Sequence, residues 1–481
     1  MPNRTVIRAE LPFDLNVGKV LEHWTVSFAI RELIANALDE QTITNTAEPM
    51  ILKDSEGRWH IRDFGRGLRY EHLTQNENRE KRSHHGVIGQ FGMGLKDALA
   101  VFDRRQIHVE ILSPHGDIST TRRGKEQFSD VVTLHAIVKP ASDTEMVGTD
   151  VVVTGVSDDE IEAAKQFFLR YSDDQALEST KFGDVLAPPA GRARGRIYVK
   201  GLLVAEEPNF LFSYNITDLS AVLRRALNRE RTNVGRTAYT DRVKSILKLC
   251  EGPDVATALT KDLTEFSSGR QHDELAWRDV ARHACRVLAT HEKVVFVTPK
   301  QLGQRTPQIE YAEQDGYRLV VVPDAIATSL RGLTDLTGAP LIDLGAYQAI
   351  WNESFSFSFV PREELSPSER HWFDLTSAAF AHTGIAPERV GVKEVLVSET
   401  MRLGTGGHDV LGVYEPADKR IIVRRDQLAM PATYFGTLLH ELAHATSGAT
   451  DGTLDFETAL TDLIGALAER LIAPGPREPG A

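Results

Sequence analysis

The chain has 481 residues, enough for about three domains, and its hydrophobic (41%) and charged (26%) fractions are those of a soluble globular protein. It has no apolar run near the roughly 20 residues of a membrane-spanning helix, no N-terminal signal-peptide pattern, and two cysteines, which cannot form a disulfide framework. The formal net charge of −13 argues against bulk non-specific binding of nucleic acid, although a local basic patch stays open. We therefore expect a cytoplasmic protein with no membrane partner.

Hydrophobic periodicity predicts both helices and strands along the chain. In chain order, the predicted elements are a helix over 20–40, a strand over 59–63, a helix over 94–103, strands Ile107–Leu112, Val131–Val138 and Asp150–Thr154, a β-rich unit starting with Arg196–Val204, buried strands Val294–Val297 and Arg318–Val322, a strand through 351–359, a strand pair Val410–Tyr414 and Arg420–Arg425, and two C-terminal helices. A loop with prolines and glycines, Ala187–Gly195, marks a boundary before the β-rich unit.

Polar residues recur on one side of the first predicted helix. At 100° per residue, Glu32, Asn36 and Asp39 fall within an arc of about 60°, and apolar residues cover the opposite side. A carboxylate, an amide and a second carboxylate therefore share one stripe. On this segment alone, the solvated face of an ordinary amphipathic helix is an equally good interpretation.

Three glycine-containing segments follow this helix, and together with it they favour a binding site over an ordinary solvated helix face. Asp63–Gly67 is a D-x-G-x-G turn directly after a predicted strand, and Gly89–Lys96 is a glycine-rich loop that opens a helix. Gly148 and Thr149 precede another strand. Glycines let backbone N–H groups approach phosphates, and a helix N-terminus favours an anion.

These four elements, in this order, resemble the GHKL superfamily with its Bergerat fold, which includes gyrase B, heat-shock-ninety chaperones, MutL, Microrchidia proteins and histidine kinases. The similarity covers residues 20–155 and extends more weakly to about 240, and Ile88–Lys96 is most similar to the chaperone and Microrchidia branches. Histidine kinases fit least, because no phospho-accepting helical hairpin precedes the domain. The resemblance implies ATP and Mg²⁺ as cofactors, ATP hydrolysis and an ATP-dependent homodimer.

The resemblance also implies a role for each matching polar residue. Glu32 matches the general base that orients the attacking water, and Asn36 matches the magnesium ligand. Asp39 lies at a position near the nucleotide or metal in the family. Asp63 matches the carboxylate that accepts a hydrogen bond from the adenine amino group, and Thr149 supports it, usually through water.

The family's glycines and basic residues are matched as well. The resemblance implies that the backbone passes close to the adenine at Gly65 and Gly67. It also implies that residues 70–86 form a lid over the nucleotide, and that Gly89, Gly92 and Gly94, at the end of this lid, face the phosphates. Lys96 could pair with a phosphate, although an exposed lysine is nearly as good an interpretation. A basic residue from the following β-rich unit contacts the γ-phosphate in the family, and the candidates here are Lys200, Arg229 and Arg231.

The second motif is H-E-x-x-H, within Thr437–Thr446. On a helix, His440 and His444 lie one turn apart on the same face, so both imidazoles can bind one zinc ion. Glu441 can then act as general base on a zinc-bound water. The motif also occurs by chance in ordinary helices, and its surroundings shift the interpretation toward zinc.

The third zinc ligand is predicted on the last helix. Glu457 shares a face with Leu460, Ile464 and Leu471, and an unpaired carboxylate on an apolar stripe is costly unless it binds a cation. Asp451 and Asp455 are rival ligands, and Glu457 could instead interact with the dipole at the helix N-terminus. With the upstream strand pair, whose edge could bind a substrate peptide, residues 409–471 resemble small bacterial zincin-like domains, here of the gluzincin class. Tyr434 or His408 could stabilise the oxyanion.

The expected fold class is α+β multidomain. Residues 1–165 are expected to form the N-terminal Bergerat α/β sandwich, 166–290 a transducer-like α/β unit, 291–385 an α/β connecting region, 386–473 a zincin-like α+β domain, and 474–481 a disordered tail.

The two resemblances together imply an ATPase whose nucleotide-driven conformational change controls a zinc-dependent metalloendopeptidase acting on a protein substrate. One alternative is a GHKL ATPase that acts as a conformational switch or chaperone-like protein with a structural or inactive zinc site. Another is a nucleic-acid-linked ATPase, which the Microrchidia resemblance allows and the acidic charge disfavours.

Overall fold

The computed structural model describes residues 10–16, 22–74, 86–89, 93–125, 128–188, 191, 194–227, 234–265, 271–404 and 406–472. The chain divides into two compact units, Met1–Leu288 and Ala289–Ala481. Both units contain helices and sheets, as the α+β prediction requires. Among the helices of the described ranges, none is both long and apolar enough to cross a membrane.

The first unit begins with an antiparallel sheet that has, in the described residues, seven strands in the order β1-β6-β5-β4-β7-β3-β2. The strands are β1 (Leu11–Asp14), β2 (Met50–Lys53), β3 (Trp59–Arg62), β4 (His108–Leu112), β5 (Asp117–Lys125), β6 (Phe128–Lys139) and β7 (Asp150–Thr154). The helices of this region are α1 (Val26–Thr44), α2 (Glu71–Thr74), α3 (Gly94–Arg104) and α4 (Asp158–Lys165). Helix α1 packs against α3 and α4 and contacts β3, and its apolar residues join the core of this sheet.

A second sheet follows in the same unit, with the strand order β11-β10-β12-β9-β8 in the described residues. Its strands are β8 (Gln175–Thr180), β9 (Gly183–Ala187), β10 (Gly195–Val199), β11 (Leu202–Glu207) and β12 (Ser213–Ile216). The turn between β10 and β11 consists of Lys200 and Gly201, which both have positive φ angles. Helices α5 (Ala221–Ala226), α6 (Thr240–Leu247), α7 (Pro253–Thr264) and α8 (Arg278–His291) follow.

The second unit contains two smaller sheets. Strands β13 (Val294–Val297) and β14 (Arg318–Val321) form a parallel pair, with helices α9 (Pro299–Gln304), α10 (Pro307–Gln314), α11 (Asp324–Leu330) and α12 (Leu344–Ser354). Strands β15 (Glu394–Ser398), β16 (Gly412–Glu415) and β17 (Arg420–Arg424) form a sheet in the order β15-β17-β16, with helices α13 (Pro367–Asp374), α14 (Thr376–Thr383), α15 (Pro431–Ser447) and α16 (Leu454–Ile472). Helix α15 packs against α16 and against β16 and β17.

Most predicted elements are confirmed, with shifted ends. The helix predicted over 20–40 begins at Val26 and continues to Thr44. The strand predicted through 351–359 is wrong, because Trp351 belongs to α12, where its ring stacks on Tyr311 with centroids 4.7 Å apart. The predicted tail, 474–481, lies outside the described residues.

Candidate functional sites

The polar stripe of α1 is buried in the first unit. Glu32 and Asp39 are 2% and 1% exposed, and Asn36 is half-buried. Unpaired charges are rarely buried in proteins, so each carboxylate must be held by specific partners. The solvated-face interpretation of this helix is therefore wrong.

Glu32 is held by its neighbour Arg31. Two donors of the fully buried guanidinium, Nη2 and Nε, lie 2.7 Å and 3.2 Å from Glu32 Oε1. The guanidinium also lies 4.9–5.5 Å from the ring centroids of Trp24, Phe28 and Phe167. A Cβ atom at Gly94 would overlap Glu32 Oε2, so the start of α3 lies directly against this carboxylate.

Asp39 binds the start of the glycine-rich loop. Its two carboxylate oxygens accept hydrogen bonds from the backbone N–H groups of Ile88 (2.6 Å) and Gly89 (2.9 Å). Lys200 reaches the same segment from the second sheet, since its Nζ donates to the Val87 carbonyl oxygen at 3.3 Å. Burial lowers the pKa of the Lys200 ammonium, and the nearby Asp39 carboxylate opposes this effect. Lys200 is one of the three basic residues predicted to contact a phosphate, and it therefore lies beside the start of the glycine-rich loop.

Asp63 lies in the turn after β3 and contacts the start of β7. Its Oδ1 accepts hydrogen bonds from the N–H groups of Gly65 (2.9 Å) and Thr149 (3.3 Å). Gly148 has a φ angle of +84°, and a Cβ atom there would overlap the Asp63 carbonyl oxygen, so glycine is required for this close approach. Burial raises the pKa of the Asp63 carboxyl, while the Gly65 N–H lowers it. Both of these backbone hydrogen bonds are made to Oδ1 of Asp63.

Glu40 lies beside the candidate site, and the sequence interpretation missed it. Its carboxylate accepts three hydrogen bonds from Arg66, from the backbone N–H (3.0 Å), Nε (2.8 Å) and Nη2 (3.0 Å). A side chain at Gly65 would overlap Glu40, so the D-x-G-x-G turn packs directly on the end of α1. The position of Glu40 directly after Asp39 gave no signal, because such a residue normally lies on the solvated side of a helix.

Of the remaining predicted residues of this site, Lys96 and Gly67 lie within the described residues. Lys96 is 5% exposed, which excludes the interpretation as an exposed surface lysine. Gly67 has a φ angle of +83° and packs against the ring of Pro114, as expected for a turn glycine. Gly92, Arg229, Arg231 and most of the predicted lid lie outside the described residues.

The H-E-x-x-H motif lies on α15, as predicted. Among the described residues, His440, His444 and Asp451 bring one ligand atom each to within 4.8 Å of one another. Asp451 Oδ1 lies 3.1 Å from His440 Nε2 and 3.3 Å from His444 Nε2. Burial lowers the pKa of the His440 imidazole, which favours the neutral form that binds metals.

The turn after α15 brings Asp451 to the two histidines. Gly448 adopts a left-handed conformation with φ 66°, and its N–H donates to the His444 carbonyl oxygen at 2.9 Å, which ends the helix. His444 Nδ1 lies 2.8 Å from the Ala449 carbonyl oxygen in the same turn. If this Nδ1 carries the proton, Nε2 is left as the ligand atom directed toward Asp451.

Glu441 lies against the edge strand β16. It is buried, and its Cγ and Oε1 lie so close to Gly412 that a Cβ atom at that position would be 2.9–3.0 Å from them. Burial raises the pKa of the Glu441 carboxyl to about 7, against the opposing effects of His444 and of a hydrogen bond from the Tyr414 backbone. A carboxyl group of this kind can accept and return a proton near neutral pH.

Two predicted residues of this site lie elsewhere. Glu457 is exposed and is not part of the cluster, because the stripe that it shares with Ile464 (60% exposed) and Leu471 (80% exposed) faces solvent. The carboxylate therefore carries no burial cost, and the argument that required a cation there fails. Tyr434 is fully buried, with its hydroxyl 2.6 Å from Thr376 Oγ1, so it belongs to the core and not to the site.

Comparison with known proteins gives relatives without an assigned activity. A family model described as the Mycoplasma pneumoniae MPN635 N-terminal domain matches residues 159–253, which include the second sheet. One uncharacterized protein of Mycoplasma pneumoniae is 38% identical over 239 residues, which cover 49% of this chain and 96% of the relative. Another uncharacterized protein of the same organism is 25% identical over 345 residues, covering 68% of this chain and 96% of the relative.

Proposed function

Because the chain belongs to the family of the 38%-identical Mycoplasma pneumoniae protein, whose name assigns no activity, we propose its function from its own residues. It binds and hydrolyses ATP, and the accompanying conformational change controls a zinc-dependent peptidase that acts on a protein substrate. The observation that supports this proposal is that one chain buries the carboxyl groups of Glu32 and Glu441, each within one of the two candidate sites. ATP-dependent homodimerisation belongs to the same proposal.

The nucleotide site draws on residues from three parts of the first unit. Asp63 Oδ2 is the oxygen that can accept a hydrogen bond from the adenine amino group, since Oδ1 is already occupied. Bound magnesium ATP would supply the phosphoryl group, Asn36 would hold the metal ion, and Glu32 would orient and deprotonate the attacking water. Lys200, which donates a hydrogen bond to the Val87 carbonyl oxygen, would contribute positive charge near the phosphates.

The donor set of the second site fits zinc. Two imidazole nitrogens and one carboxylate oxygen are the ligands of many catalytic zinc sites, which keep a further position open. Zinc, when bound, would supply Lewis-acid activation of water and polarisation of a peptide carbonyl. Glu441 would hold the transferred proton, and the edge of β16 would bind the substrate backbone by main-chain hydrogen bonds.

Metal content is the first test of the second site. We expect a single zinc ion per wild-type chain, lost in His440→Ala and His444→Ala and bound more weakly in Asp451→Asn, because these residues supply the converging ligand atoms. Glu457→Gln is the matched control and should retain zinc, since Glu457 is exposed outside the cluster. The measurement is elemental analysis of protein purified without chelators.

The same series separates the competing interpretations. Loss of zinc in Glu457→Gln, with retention in Asp451→Asn, would restore the originally predicted ligand set. A wild-type chain without zinc would leave the nucleotide site alone and favour the conformational-switch alternative.

Adenine recognition by Asp63 can be tested separately. In Asp63→Asn, the side-chain oxygen must still accept the N–H groups of Gly65 and Thr149, so the new amide NH₂ faces the adenine amino group. Loss of a hydrogen bond to a charged group typically costs about 1.5–3 kcal/mol, which corresponds to roughly 10–100-fold weaker ATP binding. Isothermal titration calorimetry measures this effect, and Asp173→Asn, at an exposed aspartate, is the control. Equal affinity in wild type and Asp63→Asn would exclude Asp63 as the adenine acceptor.

A further inference from the structure

The ring of Phe456, on α16, contacts both imidazoles of the histidine pair. It lies nearly parallel to the His444 ring, with centroids 4.3 Å apart and an interplanar angle of 25°, and its centroid lies 4.9 Å from that of His440 at an angle of 67°. Phe456 is 5% exposed and belongs to the core of this part of the second unit. A buried, closely packed ring of this kind restricts the rotation of the side chains against it.

The two imidazoles differ in their other supports. His444 is also held through its Nδ1 by the Ala449 carbonyl oxygen at 2.8 Å. In the described part of the chain, His440 contacts Asp451, the His444 ring and Phe456. Asp451 and His444 are themselves members of the metal-binding cluster, whereas Phe456 offers no ligand atom. Phe456 is therefore a support of His440 that is not itself a candidate metal ligand.

Phe456 is also connected to the turn that carries Asp451. The Phe456 N–H donates to Thr453 Oγ1 at 3.4 Å, and that hydroxyl donates to the Thr450 carbonyl oxygen at 2.7 Å. The ring and the carboxylate ligand thus lie on one short, hydrogen-bonded segment.

We propose that Phe456 is a positioning residue that orients His440 and His444 for a divalent transition metal, with the larger effect on His440. The inference rests on the proposed zinc centre and adds a residue that neither binds the metal nor contacts a substrate. Outer-shell groups that orient metal ligands typically change affinity roughly 10–100-fold when they are replaced.

Cobalt binding to the full-length, metal-free chain tests this role, because the visible spectrum of Co²⁺ reports the geometry of its ligands. Phe456→Leu removes the ring but keeps an apolar side chain, and we expect roughly 10–100-fold weaker Co²⁺ and Zn²⁺ binding with an altered Co²⁺ spectrum. Phe456→Tyr keeps the ring and should restore both affinity and spectrum. Phe456→Met is a second ring-free variant, and circular dichroism establishes that each variant is folded.

Leu463→Ala is the matched control, since Leu463 lies on the same buried side of α16. This variant should lower thermal stability and leave metal affinity unchanged. The proposal is overturned by wild-type affinity and spectrum in Phe456→Leu, or by an equal loss of affinity in Leu463→Ala, which would reflect general loosening of the core. A wild-type chain that binds neither metal removes the zinc centre and this inference together, whereas normal metal binding in Phe456→Leu removes the inference alone.

Discussion

Glu441→Gln is expected to abolish most peptide hydrolysis while zinc stays bound. The amide keeps the size of the side chain and its packing against Gly412, but it cannot accept and return a proton. Because general acid–base catalysis typically contributes 10²–10⁴-fold, kcat should fall by roughly that factor. Zinc content should match wild type, since Glu441 faces β16 and supplies no atom to the cluster of His440, His444 and Asp451.

The experiment measures cleavage of a peptide library and zinc content on the same preparations. Glu457→Gln is the control at an exposed carboxylate and should retain both cleavage and zinc. Undiminished cleavage in Glu441→Gln would remove Glu441 as the base. Cleavage that is lost together with zinc would show that the variant damages the metal site and not the proton transfer.

Glu32→Gln is expected to bind ATP normally and to hydrolyse it roughly 10²–10⁴-fold more slowly. Glutamine is a better choice than alanine, because Arg31 is fully buried and needs an acceptor at this position. An alanine would leave the guanidinium without that partner, and loss of one member of a buried ion pair destabilises a protein strongly. The amide oxygen can still accept a hydrogen bond from Arg31, whereas the negative charge that we propose to activate water is gone.

Steady-state phosphate release measures the rate of ATP hydrolysis, and titration with ATP measures its affinity. Glu110→Gln, at an exposed glutamate on β4, controls for the change in net charge. Normal turnover in Glu32→Gln would exclude Glu32 as the general base. Equal loss of binding and turnover would instead point to a structural role in the pocket.

The same proteins test the proposed link between the two activities. Peptide cleavage should differ between nucleotide-free, ATP-bound and ADP-bound wild type, because the proposal makes nucleotide the controlling ligand. Asp63→Asn, with weakened ATP binding, should respond only at higher ATP concentration. Equal cleavage rates in all three wild-type states would leave two independent activities on one chain.

Local sequence pattern was sufficient to predict which candidate residues share one helix face or one turn. The spacing of Glu32, Asn36 and Asp39 places them on one side of any α-helix, and the spacing of His440 and His444 does the same. The D-x-G-x-G and Gly-Thr segments likewise predict turns, because Gly67 and Gly148 adopt positive φ angles that other residues avoid. These features follow from backbone geometry and need no knowledge of the rest of the chain.

Tertiary packing decided which face of each helix is covered. On α16, the periodicity offers two apolar stripes, one with Ile464 and Leu471 and one with Phe456 and Leu463. The second is buried, which leaves Glu457 exposed. The turn after Gly448 then brings Asp451 to the histidines.

The contacts of Lys200 with Val87 and of Arg66 with Glu40 were equally beyond local reasoning, because they join residues far apart in sequence. The sequence by itself therefore determined which residues share a face or a turn. The tertiary structure decided which of those faces meet, since burial of apolar surface depends on the shape of the whole core and not on the period of any single helix.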